Sequence, residues 1–207
     1  MITTLSVLLF ASTSQAVLVP SHLLGKSVAE LPVPGKRAEL CVVPEPLPDG
    51  KYAKKDAERE AELCSLEAGV NVLTCPKDNS TNPGVLFLKP EQGNDFQNCN
   101  QKDLDKEAKY KLSTSCSYTP SLLAYYHVSR ALGNILNVPV AVVRTFDRER
   151  HQAIAAQALK QIKPSEVIYK TWKSLKATLD AGKSSKNADL IFAEGYDQSY
   201  GALQKNP

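Results

Sequence analysis

Residues 119–145 read TPSLLAYYHVSRALGNILNVPVAVVRT, and this stretch decides the fold. Thr119 can accept a hydrogen bond from the free amides of a first helical turn, and Pro120 falls at the first helical position, where a missing N–H costs nothing. Leu122, Tyr126, Ser129 and Leu132 recur at three- and four-residue steps beside Leu123, Tyr125 and Ala131, which predicts a helix with one wide apolar face. Gly133 supplies a left-handed stop. Val138 to Val143 is β-branched and almost continuously apolar, with Pro139 tolerable near a strand's start, and predicts a buried strand.

Working outward, Gly84 to Pro90 (GVLFLKP) predicts a second short buried strand that ends in Lys89. Lys54 to Ala68 joins strong helix formers to an apolar line through Ala57, Ala61, Cys64 and Ala68, with Gly69 as the stop. Between Lys89 and the central helix, residues 90–117 are polar and read as a long insert with a short helix around Leu104 to Leu112. Beyond Thr145, Asp147 can cap a helix over Arg148 to Ile162, which Pro164 ends. Ser165 can cap another that runs through Trp172 to Gly182. Leu190 to Ala193 and Tyr200 to Leu203 read as short strands of one hairpin. Composition and periodicity together give an α+β protein.

The ends and the cysteines place it. Residues 1–16 have an apolar run from Leu5 to Ala11 and small residues before the expected cut after Ala16, the anatomy of a signal peptide without a basic start. Residues 17–50 carry Pro20, Pro32, Pro34, Pro44, Pro46 and Pro48 and read as an extended leader, with at most one edge strand around Leu40 to Val43. Residues 51–207 then form the folded domain. Cys41, Cys64, Cys75, Cys99 and Cys116 contain no C-x-x-C pair, which in an exported chain points to disulfides rather than zinc. Cys64 with Cys75 and Cys99 with Cys116 are the pairs nearest in sequence, but spacing leaves the connectivity open and one thiol over. These features predict a soluble, secreted or periplasmic protein with no membrane span. Its 25 basic and 22 acidic side chains, net +3, are scattered and give no basis for nucleic-acid binding; they name no protein partner. His22, His127 and His151 lack metal-ligand spacing, and no G-x-S-x-G elbow is present for a serine nucleophile.

The order of a lysine-ended FLKP strand, then AYYHVSRALGNILNVPVAVVR, resembles the amino-terminal lobe of the secretory-pathway kinase-like proteins, the Golgi casein-kinase type and the bacterial spore-coat kinases. The resemblance implies a small antiparallel sheet with packed helices, an incomplete kinase whose second lobe is missing, and ATP with a divalent metal as the ligand of a full-length parent. It makes Lys89 the nucleotide-phosphate lysine, whose other reading is an ordinary edge or surface charge, and matches Arg144 to a recurrent arginine that places charge in the cleft, whose default reading is a surface salt bridge. The acidic partner of the lysine belongs on the packed helix, where this chain has Leu122; Glu107 is the nearest substitute, and its other reading is a helix charge paired with Lys111. No H-R-D or D-F-G pattern follows, so the resemblance implies a nucleotide-facing lobe that is not catalytic alone. The alternative reading is a non-enzymatic exported binding or structural module stapled by disulfides.

Overall fold

The computed structural model describes residues 25–90, 99, 104–114 and 118–206. The predicted signal segment, the start of the leader, most of the insert around Cys99, and Cys116 lie outside the described residues. The rest forms an α+β domain built on one antiparallel sheet. Its strands are β1 (Gly25–Leu31), β2 (Glu39–Pro44), β3 (Leu73–Pro76), β4 (Val85–Pro90), β5 (Leu104–Leu112), β6 (Ala141–Asp147) and β7 (Gln198–Lys205). They lie in the order β1-β2-β6-β7-β5-β4-β3. Helices α1 (Lys54–Cys64), α2 (Thr119–Ala131), α3 (Arg148–Gln161), α4 (Val167–Ala181) and α5 (Ala188–Ile191) fill the connections.

The sheet takes in two segments that sequence pattern assigns elsewhere. Residues 25–44, read as leader, form a hairpin whose second strand pairs Cys41 with Arg144 and Val42 with Val143 of β6. Its prolines stay out of the way: Pro32 and Pro34 lie in the turn, and Pro44 closes β2. Residues 104–112, expected as a helix, are strand β5. Ala108, Tyr110 and Leu112 are buried at alternate positions, with Lys109 and Lys111 between them only partly covered. That period of two matches the ladders to β4 and β7, and the two ladders override the helix propensity of Asp-Lys-Glu-Ala-Lys. The converse holds at Ala188–Ile191, a single helical turn that takes in the first half of the strand expected over Leu190 to Ala193; its second half keeps the hairpin contact, with Phe192 bridging antiparallel to Ser199 of β7 and the Ala193 amide donating to the Gln198 carbonyl at 2.8 Å.

Helix α2 is present, with Leu123, Tyr126 and Ser129 of its expected face buried and its remainder shifted toward His127 and Arg130. Thr119 begins the helix rather than capping it, and its N–H is satisfied by Ser113 Oγ at 3.0 Å. The buried face comprises Leu123, Tyr126, His127, Ser129 and Arg130, while Tyr125 and Leu132 face water. Polar groups are tolerable on that face because α1 meets them. Arg130 donates Nε and Nη2 to Asp56 at 2.9 and 2.7 Å, and Tyr126 donates to Glu60 at 2.8 Å. Tyr52 accepts from the Leu47 amide and bonds His127 Nδ1 at 2.6 Å.

Neither of the sequence-local cysteine pairs forms. Cys41–Cys64 ties β2 to the end of α1, and Cys75–Cys99 ties β3 to the insert. Each bond joins residues brought together by the sheet, which sequence separation does not reveal. The main core runs through Phe87, Tyr110, Phe146 and Leu203 of the sheet to Ile154 on α3 and Trp172, Leu175 and Leu179 on α4; a smaller one gathers Leu73, Cys75 and Leu88.

Gly201 is a tight point in this sheet. It lies between Arg144 and Leu112 in the ladders, and a methyl group there would meet the Tyr110 ring carbons at 2.8 Å as well as the Lys111 carbonyl. Gly201→Ala is expected to destabilise by about 1–3 kcal/mol, the usual cost of overpacking. A urea midpoint equal to that of the wild type would contradict this packing.

Candidate functional site

Two of the three residues singled out by the resemblance line one shallow cavity. Lys89, at the end of β4, and Glu107, on β5, share a hollow of about 350 Å³ with Glu62, Ser65, Leu66, Asn71, Val72 and Lys205. Glu107 does hold a lysine, but it is Lys205 of β7, at 2.9 Å, which also reaches Glu62 at 3.3 Å. Burial works against the Lys205 charge, and the bonds to Glu107 and Glu62 outweigh it, so its pKa is raised. Lys89 is exposed, opposite Asp105 in the ladder, and has no ion pair among the described residues.

Arg144 forms the salt bridge that was its default reading, but a buried one rather than one at the surface. Its side chain is fully buried, with Nη2 donating to Glu39 Oε2 at 2.7 Å and Nε to the Thr145 carbonyl. Glu39 uses its other oxygen to accept the Asp147 amide at 2.8 Å. A guanidinium with no solvent exposure cannot touch a nucleotide in this conformation; it fixes β2 against β6. Above it lies a cavity of about 400 Å³ at the start of α3, where Lys36 bonds Asp147 and Glu149, and Arg37 bonds Asp197. The charges lining that cavity are largely spent on one another.

The third grouping was missed at the level of sequence. Register places Lys109 beside Leu86 and Gln204, and Lys111 beside Ala202, so both lysines project from the face opposite Tyr110 and Leu112. Lys77, just past β3, joins them at Gly84: a Cβ placed there would lie 3.8 Å from the Lys111 stem and 3.9 Å from that of Lys77. All three are half-buried, and none has an ion-pair partner among the described residues. Burial lowers the pKa of Lys77 and Lys109, and the neighbouring lysines, Lys111 first, lower it further. At Lys77 the Asp78 carboxylate works the other way. The alternation Ala108-Lys-Tyr-Lys-Leu112 carried the signal, but reading that stretch as a helix disperses the lysines around an axis.

No cluster suited to other chemistry appears among the described residues. None brings three or more His, Cys, Asp or Glu together for a metal ion. His151 Nδ1 lies 2.9 Å from Ser199 Oγ, which also meets the Tyr110 hydroxyl at 3.2 Å, but all three are sealed in the core and no carboxylate joins them. Among the described residues no helix is long and apolar enough to cross a membrane. Comparison of the chain with known family models, curated proteins and solved structures finds no match.

The buried histidine sets a pH dependence. Burial pushes His151 down from 6.5 to about 3, so the folded protein keeps it neutral while the unfolded chain takes up a proton. The unfolded state then binds more protons, and stability falls as pH drops below 6.5, by about 1.4 kcal/mol per unit. His127, lowered by burial and then by Arg130, acts in the same direction. Between pH 6.5 and 5.0, His151→Gln is expected to show a shallower loss of unfolding free energy than the wild type. Equal slopes would mean that His151 is protonated in the folded protein.

Proposed function

We propose that this chain is the nucleotide-facing small lobe of a kinase-like phosphotransferase, not catalytic by itself, and that Lys77, Lys109 and Lys111 receive the phosphates. The observation that carries the reading is the lysine face of β5 and its place in the chain. The resemblance calls for a lysine-bearing strand, a packed helix, and a strand that follows V-P. With residues 104–112 extended, the strand that runs into α2 and on to β6 is β5, not the Lys89 strand. β5 offers two half-buried lysines with no carboxylate partner among the described residues, whereas Lys89 is exposed and the nearby Glu107 is engaged by Lys205. In this reading the divalent metal arrives with the nucleotide, and Arg144 and Glu107 hold the lobe together.

One observation favours the non-enzymatic module instead. Helix α2 has no acidic residue, and the charge it buries is a cation, Arg130, paired with Asp56. A lobe without an acid on its packed helix lacks the lysine clamp on which phosphoryl transfer depends.

Nucleotide binding separates the two readings. The oxidised chain is expected to bind ATP, with and without magnesium, in a salt-sensitive manner. Lys109→Ala with Lys111→Ala should weaken binding at least ten-fold, since each charge-assisted bond to a phosphate contributes about 1.5–3 kcal/mol. Lys89→Ala should leave affinity within about two-fold, because less than ~0.4 kcal/mol is expected from a solvated lysine. Titration calorimetry that detects no binding to the wild type, or equal binding by the double variant, would leave the module reading.

A further inference from the structure

The two most exposed large apolar side chains of the described structure lie just past the end of α2. Ile135 and Leu136 are 79% and 72% exposed, and beside them on α2 and at its start lie Tyr118, Tyr125, Val128 and Leu132, each about half-exposed or more. Tyr118, Tyr125 and Leu132 are seven residues apart, and Val128 lies between the last two, so they form a seam along the outer face of the helix. The tip is held in place. Gly133 and Asn134 take left-handed backbone angles, the Asn134 amide donates to the Ser129 carbonyl at 2.7 Å, and Arg130 Nη1 bonds Asn134 Oδ1 at 2.8 Å and the Val138 carbonyl at 3.0 Å. A buried arginine thus props out two aliphatic side chains that gain nothing from the monomer's own core.

We propose that this face is the contact between two copies of the chain, related by a two-fold axis across α2. The six side chains leave on the order of 700 Å² in water, more than the few hundred Å² typical of a monomer's patches and close to the ~800 Å² per partner of a standard interface. From Thr119 to Asn137 the only charged residue is Arg130, which is buried and paired. The helix itself adds no exposed charge to the face, so along α2 it meets its own copy without like-charge opposition; the neighbouring charge is Lys51, exposed and bonded through its amide to the Arg130 carbonyl at 2.9 Å. The helix face also lacks the lysines and arginines with which an amphipathic helix holds anionic lipid. Tyr118, Tyr125, Asn134 and Asn137 supply a polar rim able to hydrogen-bond across the axis. The contact is independent of the phosphate reading.

Sedimentation equilibrium of the oxidised chain between 1 and about 100 µM, the usual range for a weak standard-size interface, tests it. A species of twice 22.6 kDa is expected. Ile135→Glu with Leu136→Glu should raise the dimer dissociation constant at least ten-fold with unchanged circular dichroism, whereas Val70→Glu, an exposed valine elsewhere, should leave it unchanged. A wild type that stays monomeric at the highest concentration overturns the proposal. So does a dimer that survives the double substitution, or a monomer that instead sediments with neutral phosphatidylcholine vesicles.

Discussion

Strand β7 is the constraint on which the rest depends. Its residues Gln198 to Gln204 pair with Ala141 to Asp147 of β6 on one side, and Gly201 to Lys205 pair with Ala108 to Leu112 of β5 on the other. Without β7 the sheet is two separate pieces, β1-β2-β6 and β5-β4-β3, each with an open edge. The strand comes last in the described chain, so its pairings span long sequence separations. Gly201 is the residue that lets it lie flat beneath the Tyr110 ring. Lys205, at its end, brings Glu62 of α1 and Glu107 of β5 to one point.

Two buried arginines then fix what packs on that sheet. Arg144 locks β2 to β6 through Glu39, and Arg130 locks α2 to α1 through Asp56. Each pair pays a desolvation penalty that its bonds must recover, so neither is strong evidence of net stability; losing one partner leaves a buried charge and costs several kcal/mol. Asp56 illustrates the balance: burial raises its pKa, but the bonds from Arg130 and the Ala53 amide prevail and hold it below the usual carboxylate value. The lysines at Gly84 have no ion-pair partner among the described residues.

The parts of the fold that depend on local chemistry were legible in the sequence. Asp147 caps α3 through the Arg150 amide, Gly133 and Gly182 follow helices at positive φ, and the Trp172, Leu175 and Leu179 face of α4 is buried as its period requires. What was not legible depends on partners distant in sequence. Residues 104–112 have a helix former's composition and become a strand only because β4 and β7 flank them. Tyr125 and Leu132 fit a buried stripe by spacing with Tyr126 and are exposed, while α1 offers a carboxylate, Asp56, that draws Arg130 inward instead. Lys89, Glu107 and Arg144 were chosen from their order along the chain; the structure gives Glu107 to Lys205 and buries Arg144, and the lysines that cluster are others.

The central claim is that the face bearing Lys77, Lys109 and Lys111 binds phosphate. Nuclear magnetic resonance of the chain with isotopically dimethylated lysines reads each amine directly. Lys77 and Lys109 should titrate below the ordinary 10.5 in the free protein and move upward when pyrophosphate is added, because a bound anion stabilises the charged amines. The Lys89 signal should not move. Titrations of Lys77 and Lys109 that are indifferent to pyrophosphate, or a response confined to Lys89, would contradict the account.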